Sequence, residues 1–239
     1  PYTYLLLAVD PVHIDDGESQ LGGVDNTITR DPSDGVPRIP GSSLHGAIRH
    51  YATLCAATHI DGKYLQCAGQ VKSGSDHYNN CPICWTFGHS PGEQDDESGH
   101  VGRVSVYDAL ILFFPVNTMY GLAYVTTPRL MSEAGVETDD PISSELNFPE
   151  VYRTKPDEKK LPVNLGPLMF YWVKPCSLKQ DNLPQMPNMD NAFRHLLYDN
   201  LYIVDETSFA RIVNDSLDVR ASVPINPDTG IAADTGPFM

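Results

Sequence analysis

The sequence predicts an α+β domain, and three observations carry that expectation. Short apolar runs alternate with stretches whose apolar residues recur at helical spacing, which makes strand-helix-strand units. Residues 216–223 place Leu217, Val219, Ala221 and Val223 in alternation with polar partners, the pattern of an antiparallel strand with one wet face. No tandem repeat is present. Of the 239 residues, 41% are apolar, enough for one sizeable core, so residues 1–239 read as a single domain.

Taken in order, residues 2–10 are short, apolar and aromatic-flanked, and read as a strand. Residues 44–58 read as the first helix, with Leu44, Ile48, Tyr51 and Cys55 on one face. Pro37 and Pro40 forbid a helix before Gly41, so Ser42 or Ser43 is the expected N-cap. Residues 101–114 alternate Val101, Arg103 and Ser105 with Gly102, Val104 and Val106, then become wholly apolar, as a strand entering the core does. Residues 122–127 continue the sheet, and 191–198 and 207–215 read as helices before the late strand. Two insertions interrupt the pattern. Residues 133–166 are acidic, contain Pro141, Pro149, Pro156 and Pro162, and show no sustained apolar period, so they read as an extended loop or arm. Residues 58–99 carry most of the cysteines.

The longest apolar runs, 109–116 and 165–173, are too short to span a bilayer, and no basic-then-apolar signal segment opens the chain, so a soluble cytoplasmic protein is expected. The chain opens at Pro1 without an initiator Met, and further residues at either end are expected. A net charge of −15 opposes autonomous nucleic-acid binding, because counterion release needs clustered Lys and Arg. The acid, however, is concentrated in residues 93–97 and 133–158, whereas residues 30–50 hold three Arg and two His against two Asp. Local field outweighs the sum. The plain alternative for the acidic runs is a surface kept soluble by its charge.

Residues 22–50, GGVDNTITRDPSDGVPRIPGSSLHGAIRH, carry the most chemistry. A turn-rich ribbon runs into a helix start, whose unpaired N–H groups and positive dipole end can hold an anion. Arg30, Arg38, His45 and Arg49 stand near those groups, so Ser42, Ser43 and these cations form a candidate site for a polyanion backbone, read without reference to its bases. Asp25 is the one carboxylate beside it that follows a Gly pair, Gly22 and Gly23, and can approach a bound strand closely. Asp25 as a turn former is the alternative, and that reading suits Asp31, which precedes Pro32, better still.

Cys81-Pro-Ile-Cys84 with Cys67 upstream reads as a zinc site rather than a disulfide framework. Cys67, Cys81 and Cys84 with His77 are the favoured ligands; His59 is nearly as good for the fourth place, and His89 and Cys55 are also close in sequence. Such a site is closed to a catalytic water, and its work would be to fold the insertion. A zinc deaminase is excluded, because no His-x-Glu precedes the pair and Pro82 lies between the cysteines. A thioredoxin-like role is weak, since the pair sits in an insertion without a strand-to-helix frame.

The segments Gly-Val-Asp-Asn-Thr-Ile-x-Arg-Asp-Pro and Pro-x-Ile-Pro-Gly-Ser-Ser-Leu-x-Gly-Ala-Ile-Arg resemble the signature of the RAMP backbone subunits of type III CRISPR effector complexes. Residues 7–14 with His13, residues 102–127 and residues 201–230 fit the same family, the last two resembling the nuclease backbone subunit of the Cmr (type III-B) complex more than its Csm (type III-A) counterpart. The resemblance implies a modified ferredoxin-like, RRM-related core, a zinc insertion at 58–99 ending in a run like CPICWTFG, and a thumb-like arm, placed at 133–166. It implies antiviral defence by a subunit that polymerises on a CRISPR guide RNA, beside other type III effector subunits, and cleaves single-stranded target RNA with Mg²⁺ or another divalent cation. Asp25 matches the position that cleavage needs, and His13 matches one near the guide. His45 stands where the family usually has Lys, and the late acid and Tyr of the Cmr subunit would lie beyond Gly236.

Two other readings compete with this RNA-guided endoribonuclease. One is a non-catalytic guide-RNA-binding scaffold, which tolerates loss of Asp25. The other is a zinc-stabilised interaction module without RNA, which predicts no nucleic acid in purified protein.

Overall fold

The computed structural model describes residues 2–19, 26–60, 67, 80–89, 99–136, 146–155, 162–176, 178, 183 and 191–219. The chain divides into two compact units, Arg38–Leu110 and the combination of Pro1–Pro37 with Ile111–Met239. Each is an α+β arrangement in its own right.

The larger unit begins with β1 (Asp15–Ser19), antiparallel to β2 (Asn26–Ile28). In the segment that follows, Asp31 accepts from the Ser33 amide at 2.8 Å and Asp34 from the Val36 amide at 2.9 Å, so Asp31 forms the expected turn. Its centre is a five-stranded sheet built from β7 (Phe114–Thr118), β8 (Gly121–Thr126), β9 (Glu150–Arg153), β12 (Trp172–Pro175) and β13 (Leu201–Ile203), in the order β12-β9-β13-β8-β7. β7 and β8 form a hairpin, with Gly121 in the left-handed region at φ 110° where the turn re-enters the strand. β13 lies parallel to β8 and antiparallel to β9, and all three of its residues are buried, as both faces of a central strand require.

Alternation along these strands sends side chains to two cores. Ala123, Val125, Val151 and Tyr202 pack with Phe209, Ile212 and Val213 of a helix, Glu206–Asp215, and with the hairpin of β10 (Val163–Leu165) and β11 (Leu168–Phe170). Tyr124, Leu201 and Ile203 pack with Met131 of the helix Pro128–Glu133 and Leu197 of the helix Asn191–Asp199. Both capped starts are legible chemistry: Thr127 accepts from the Leu130 amide before a Pro at the first turn, and Asp205 accepts from the Ser208 amide.

The smaller unit pairs β3 (Arg38–Ile39) with β6 (Ala109–Leu110), and β4 (Gly88–His89) with β5 (His100–Val101). Its helices are α1 (Gly41–His59) and α2 (Pro82–Phe87); the later helices 128–133, 191–199 and 206–215 are α3, α4 and α5.

Several local expectations are corrected. Residues 2–10 form no strand; Tyr2, Tyr4, Leu6, Leu7 and Val9 are exposed and find no ladder partner among the described residues. Residues 101–114 are not one strand, because the Arg103 and Val104 amides both donate to the Thr86 carbonyl and a Cβ at Gly102 would meet the Phe87 backbone at 2.6 Å. The backbone donors there are spent on the end of α2 instead of a ladder. Residues 216–219 are irregular, and 220–223 lie outside the described residues. Within 133–166, β9 and β10 are strands with buried Val151, Arg153, Val163 and Leu165, so that span is not wholly an extended loop; residues 137–145 and 156–161 lie outside the described residues. Among the described residues no helix is long and apolar enough to cross a membrane.

Candidate nucleic-acid interface and metal centre

α1 starts two or three residues earlier than a cap at Ser42 or Ser43 would give, with Pro40 at the cap position and no side-chain cap of its own. The missing acceptor comes from far along the chain: the Gly41 amide donates to Asp108 Oδ1 at 2.7 Å. Arg38 Nη1 holds the other oxygen of that carboxylate at 2.8 Å. Gly is required here, since a Cβ at Gly41 would lie 2.2 Å from the Val106 carbonyl oxygen. The anion that the helix start attracts is therefore supplied within the unit by Asp108, which neutralises both Arg38 and the dipole end.

Ser42 and Ser43 sit exposed in the first turn. The expected face of α1 is turned outward, with Ile48 and Tyr51 exposed, while Thr53 and Ala56 are buried. Small side chains on that inner face let the cysteine-bearing segments come close. His45 is half-buried and meets Phe87 of α2 edge-on, with ring centroids 5.3 Å apart. Arg49 Nε donates to the Cys67 carbonyl at 3.0 Å. In the larger unit, Arg30 Nη1 donates to the Gly35 carbonyl and to Asn214 Oδ1, so this cation is braced against a turn and α5. His13 is exposed in the irregular segment before β1. Asp25 lies outside the described residues, directly before β2.

The three cysteines converge. Cys67, Cys81 and Cys84 are buried, their sulfurs all lie within 4.8 Å of one another, and Cys67 Sγ is 3.3 Å from Cys81 Sγ. Sulfurs around a tetrahedral zinc ion lie roughly 3.8 Å apart, so the donor set fits a thiophilic cation. Burial pushes the Cys67 thiol up to about 12, and the neighbouring Cys81 and Cys84 sulfurs add to this. Cys84 is raised as well, first by burial and then by Cys81, while Arg49 acts in the opposite direction. Burial thus favours the neutral thiols of Cys67 and Cys84, and a divalent ion bound by the three sulfurs would favour thiolates. His77 lies outside the described residues, and His59 is exposed at the end of α1, apart from the three-sulfur group.

Sequence reasoning missed two features of this unit. Asp108 gives no local signal, because it meets Gly41 across a separation of 67 residues. A run of planar side chains was missed too: Trp85 stacks on His100 with centroids 4.7 Å apart at 20°, His100 lies 6.2 Å from His89 at 19°, and Arg103 Cζ sits 4.3 Å over the Trp85 ring. These residues are distant in sequence until β4 pairs with β5, with His89 opposite His100.

A family model described as the RAMP superfamily matches residues 6–238. The chain is similar to the CRISPR system Cmr endoribonuclease Cmr4 of Pyrococcus furiosus, with 26% identity over 242 residues that take in 96% of this chain and 72% of that protein. Its fold resembles a chain in the cryo-EM structure of the type III-B Cmr-beta complex in the apo state, with a TM-score of 0.55, 17% identity and coverage of 95% of this chain and 74% of that one. It also resembles oligomeric Cmr4 from Pyrococcus furiosus, with a TM-score of 0.51, 21% identity and coverage of 87% and 71%. At such identities the structural likeness bears on the fold alone.

Proposed function

This chain belongs to the RAMP superfamily, and we propose that it is a backbone subunit of a type III-B CRISPR effector complex. In this reading it binds guide RNA as one of several copies in a filament, together with other effector subunits, and acts in the cytoplasm as an RNA-guided, metal-dependent endoribonuclease on complementary single-stranded target RNA. The observation that carries the reading is similarity across 96% of the chain to a Cmr endoribonuclease, joined to the Gly-Val-Asp-Asn and Pro-Gly-Ser-Ser segments at residues 23–26 and 40–43. The core is taken as a modified ferredoxin-like one within a single domain, with the 58–99 insertion folded by zinc and a thumb-like arm in the 133–166 span outside β9 and β10.

Guide RNA is held through its backbone and shape, with sequence left to base pairing. Ser42, Ser43, His45 and Arg49 contribute from α1, Arg38 from the strand before it, and Arg30 and His13 from the larger unit. Because Arg38, Arg49 and Arg30 are already engaged by Asp108, the Cys67 carbonyl and Asn214, they act as fixed, pre-oriented donors, and of the three pairings only that of Arg38 offsets its charge. That suits a subunit of charge −15 that holds RNA only with neighbouring copies.

Cleavage falls to Asp25. Attack by a ribose 2′-OH on the adjacent phosphorus needs removal of the hydroxyl proton, in-line geometry and neutralisation of charge on the phosphate. Asp25 takes the proton or holds a divalent cation; the cation, when bound, supplies the charge neutralisation. Cys67, Cys81 and Cys84 hold the structural zinc, with His77 or His59 as the fourth ligand.

The test is cleavage of labelled RNA complementary to the bound guide by the assembled complex with Mg²⁺, wild type against Asp25→Ala. Regularly spaced products should vanish in the variant while target binding persists. If the variant still cuts, Asp25 is not the catalytic group; if wild type binds and never cuts, the subunit is a scaffold.

A further inference from the structure

We propose that Trp85, with Arg103 and the His89–His100 pair, forms a stacking platform for an unpaired nucleobase of bound RNA; the proposal rests on the RNA-binding reading above. The side chains are unsuited to a core. Trp85 is 39% exposed, Arg103 is exposed, and the two imidazoles are half-buried. Yet their planes are ordered: the indole and His100 lie within 20° of parallel, the two imidazoles within 19°, and the guanidinium sits on the indole.

His100 Nδ1 is buried with no hydrogen-bond partner, so no bond at that nitrogen fixes the ring that stacks on Trp85. Arg103 has no acidic partner among the described residues, in contrast to Arg38, Arg129 and Arg211. A cation without a counterion, laid on an exposed indole, is an arrangement that takes a third planar, electron-rich group, and every nucleobase offers such a face. The platform is continuous with the proposed guide-holding helix through the edge-on contact of His45 with Phe87, two residues after Trp85 in α2.

The experiment is a 2-aminopurine walk. The full chain is assembled on guide RNA and target RNA, with 2-aminopurine placed at each position of either strand in turn, for wild type, W85A, W85L and W85F. Stacking quenches this base, so emission should rise at regularly spaced positions in W85A and W85L but not in W85F. RNA retention should weaken roughly tenfold in the first two, with an unchanged salt dependence because no phosphate contact is lost. If no position changes, or if W85L behaves as wild type, Trp85 serves packing and the platform is refuted while the backbone-subunit reading stands. If wild-type chain retains no guide RNA, that reading fails and the platform with it.

Discussion

The two units reach a stable fold by different means. The larger one buries two apolar clusters against a five-stranded sheet, including Phe170, Leu165, Ile203 and Ile212, none more than 2% exposed. Among the described residues of the smaller one, Arg38–Leu110, the core cluster has five buried members, of which three are Cys67, Cys81 and Cys84, the others being Ala56 and Ile83. Burial at about 25 cal/mol per Å² can support the first unit by itself. Thiols replace larger apolar side chains among the described core residues of the second, and small modules of this kind lean on a metal or a similar staple. The chemistry follows the same division. The sheet unit carries Asp25, Arg30 and His13 in its N-terminal segment, whereas the cysteine unit presents α1, its serines and the planar side chains.

The largest effect should come from removing the staple. Cys81→Ser, or a strong chelator on the wild type, should unfold residues 38–110 while the sheet stays protected from hydrogen exchange, because binding energies of structural zinc sites, on the order of 10 kcal/mol, are folding energies. Equal protection of both units after metal removal would show that the sulfurs serve as packing only. Next in size, Ile212→Ala should cost about 2–5 kcal/mol in the larger unit, read as a lower urea midpoint with unchanged slope. If exchange in the cysteine unit falls by the same amount, the two do not unfold independently and the contrast drawn above collapses. The smallest effect belongs to the surface: Arg129 and Glu133 pair at 3.1 Å across one turn of α3, both about half exposed. Glu133→Gln should change stability by no more than about 0.5 kcal/mol, a sharper limit on how little surface ion pairs add beside burial.

Much of the sheet unit was legible locally. Residues 122–127, 191–198 and 207–215 carried their own apolar period, and β8, α4 and α5 form there within a residue or so. Where local pattern misled, a distant partner decided. The apolar stripe of α1 at Ile48 and Tyr51 faces outward, because the Ala52, Thr53 and Ala56 side is the one narrow enough for the thiol cluster. β9 was read as arm because its span is acidic and rich in proline, yet Val151 and Arg153 alternate inward between β12 and β13.

By itself the sequence determined the α+β class, the convergence of Cys67, Cys81 and Cys84 from their spacing, and the start of a helix after Pro40. Each of these depends on interactions within a turn or two of chain, or on the short reach within which buried thiols gather. Tertiary structure alone decided that Asp108 caps α1, that Arg38 is neutralised, and that Arg103, Trp85, His100 and His89 lie in register. Charge pairing and stacking act over a few ångströms and give no periodic signal, so residues far apart in sequence acquire them only when the fold sets them side by side.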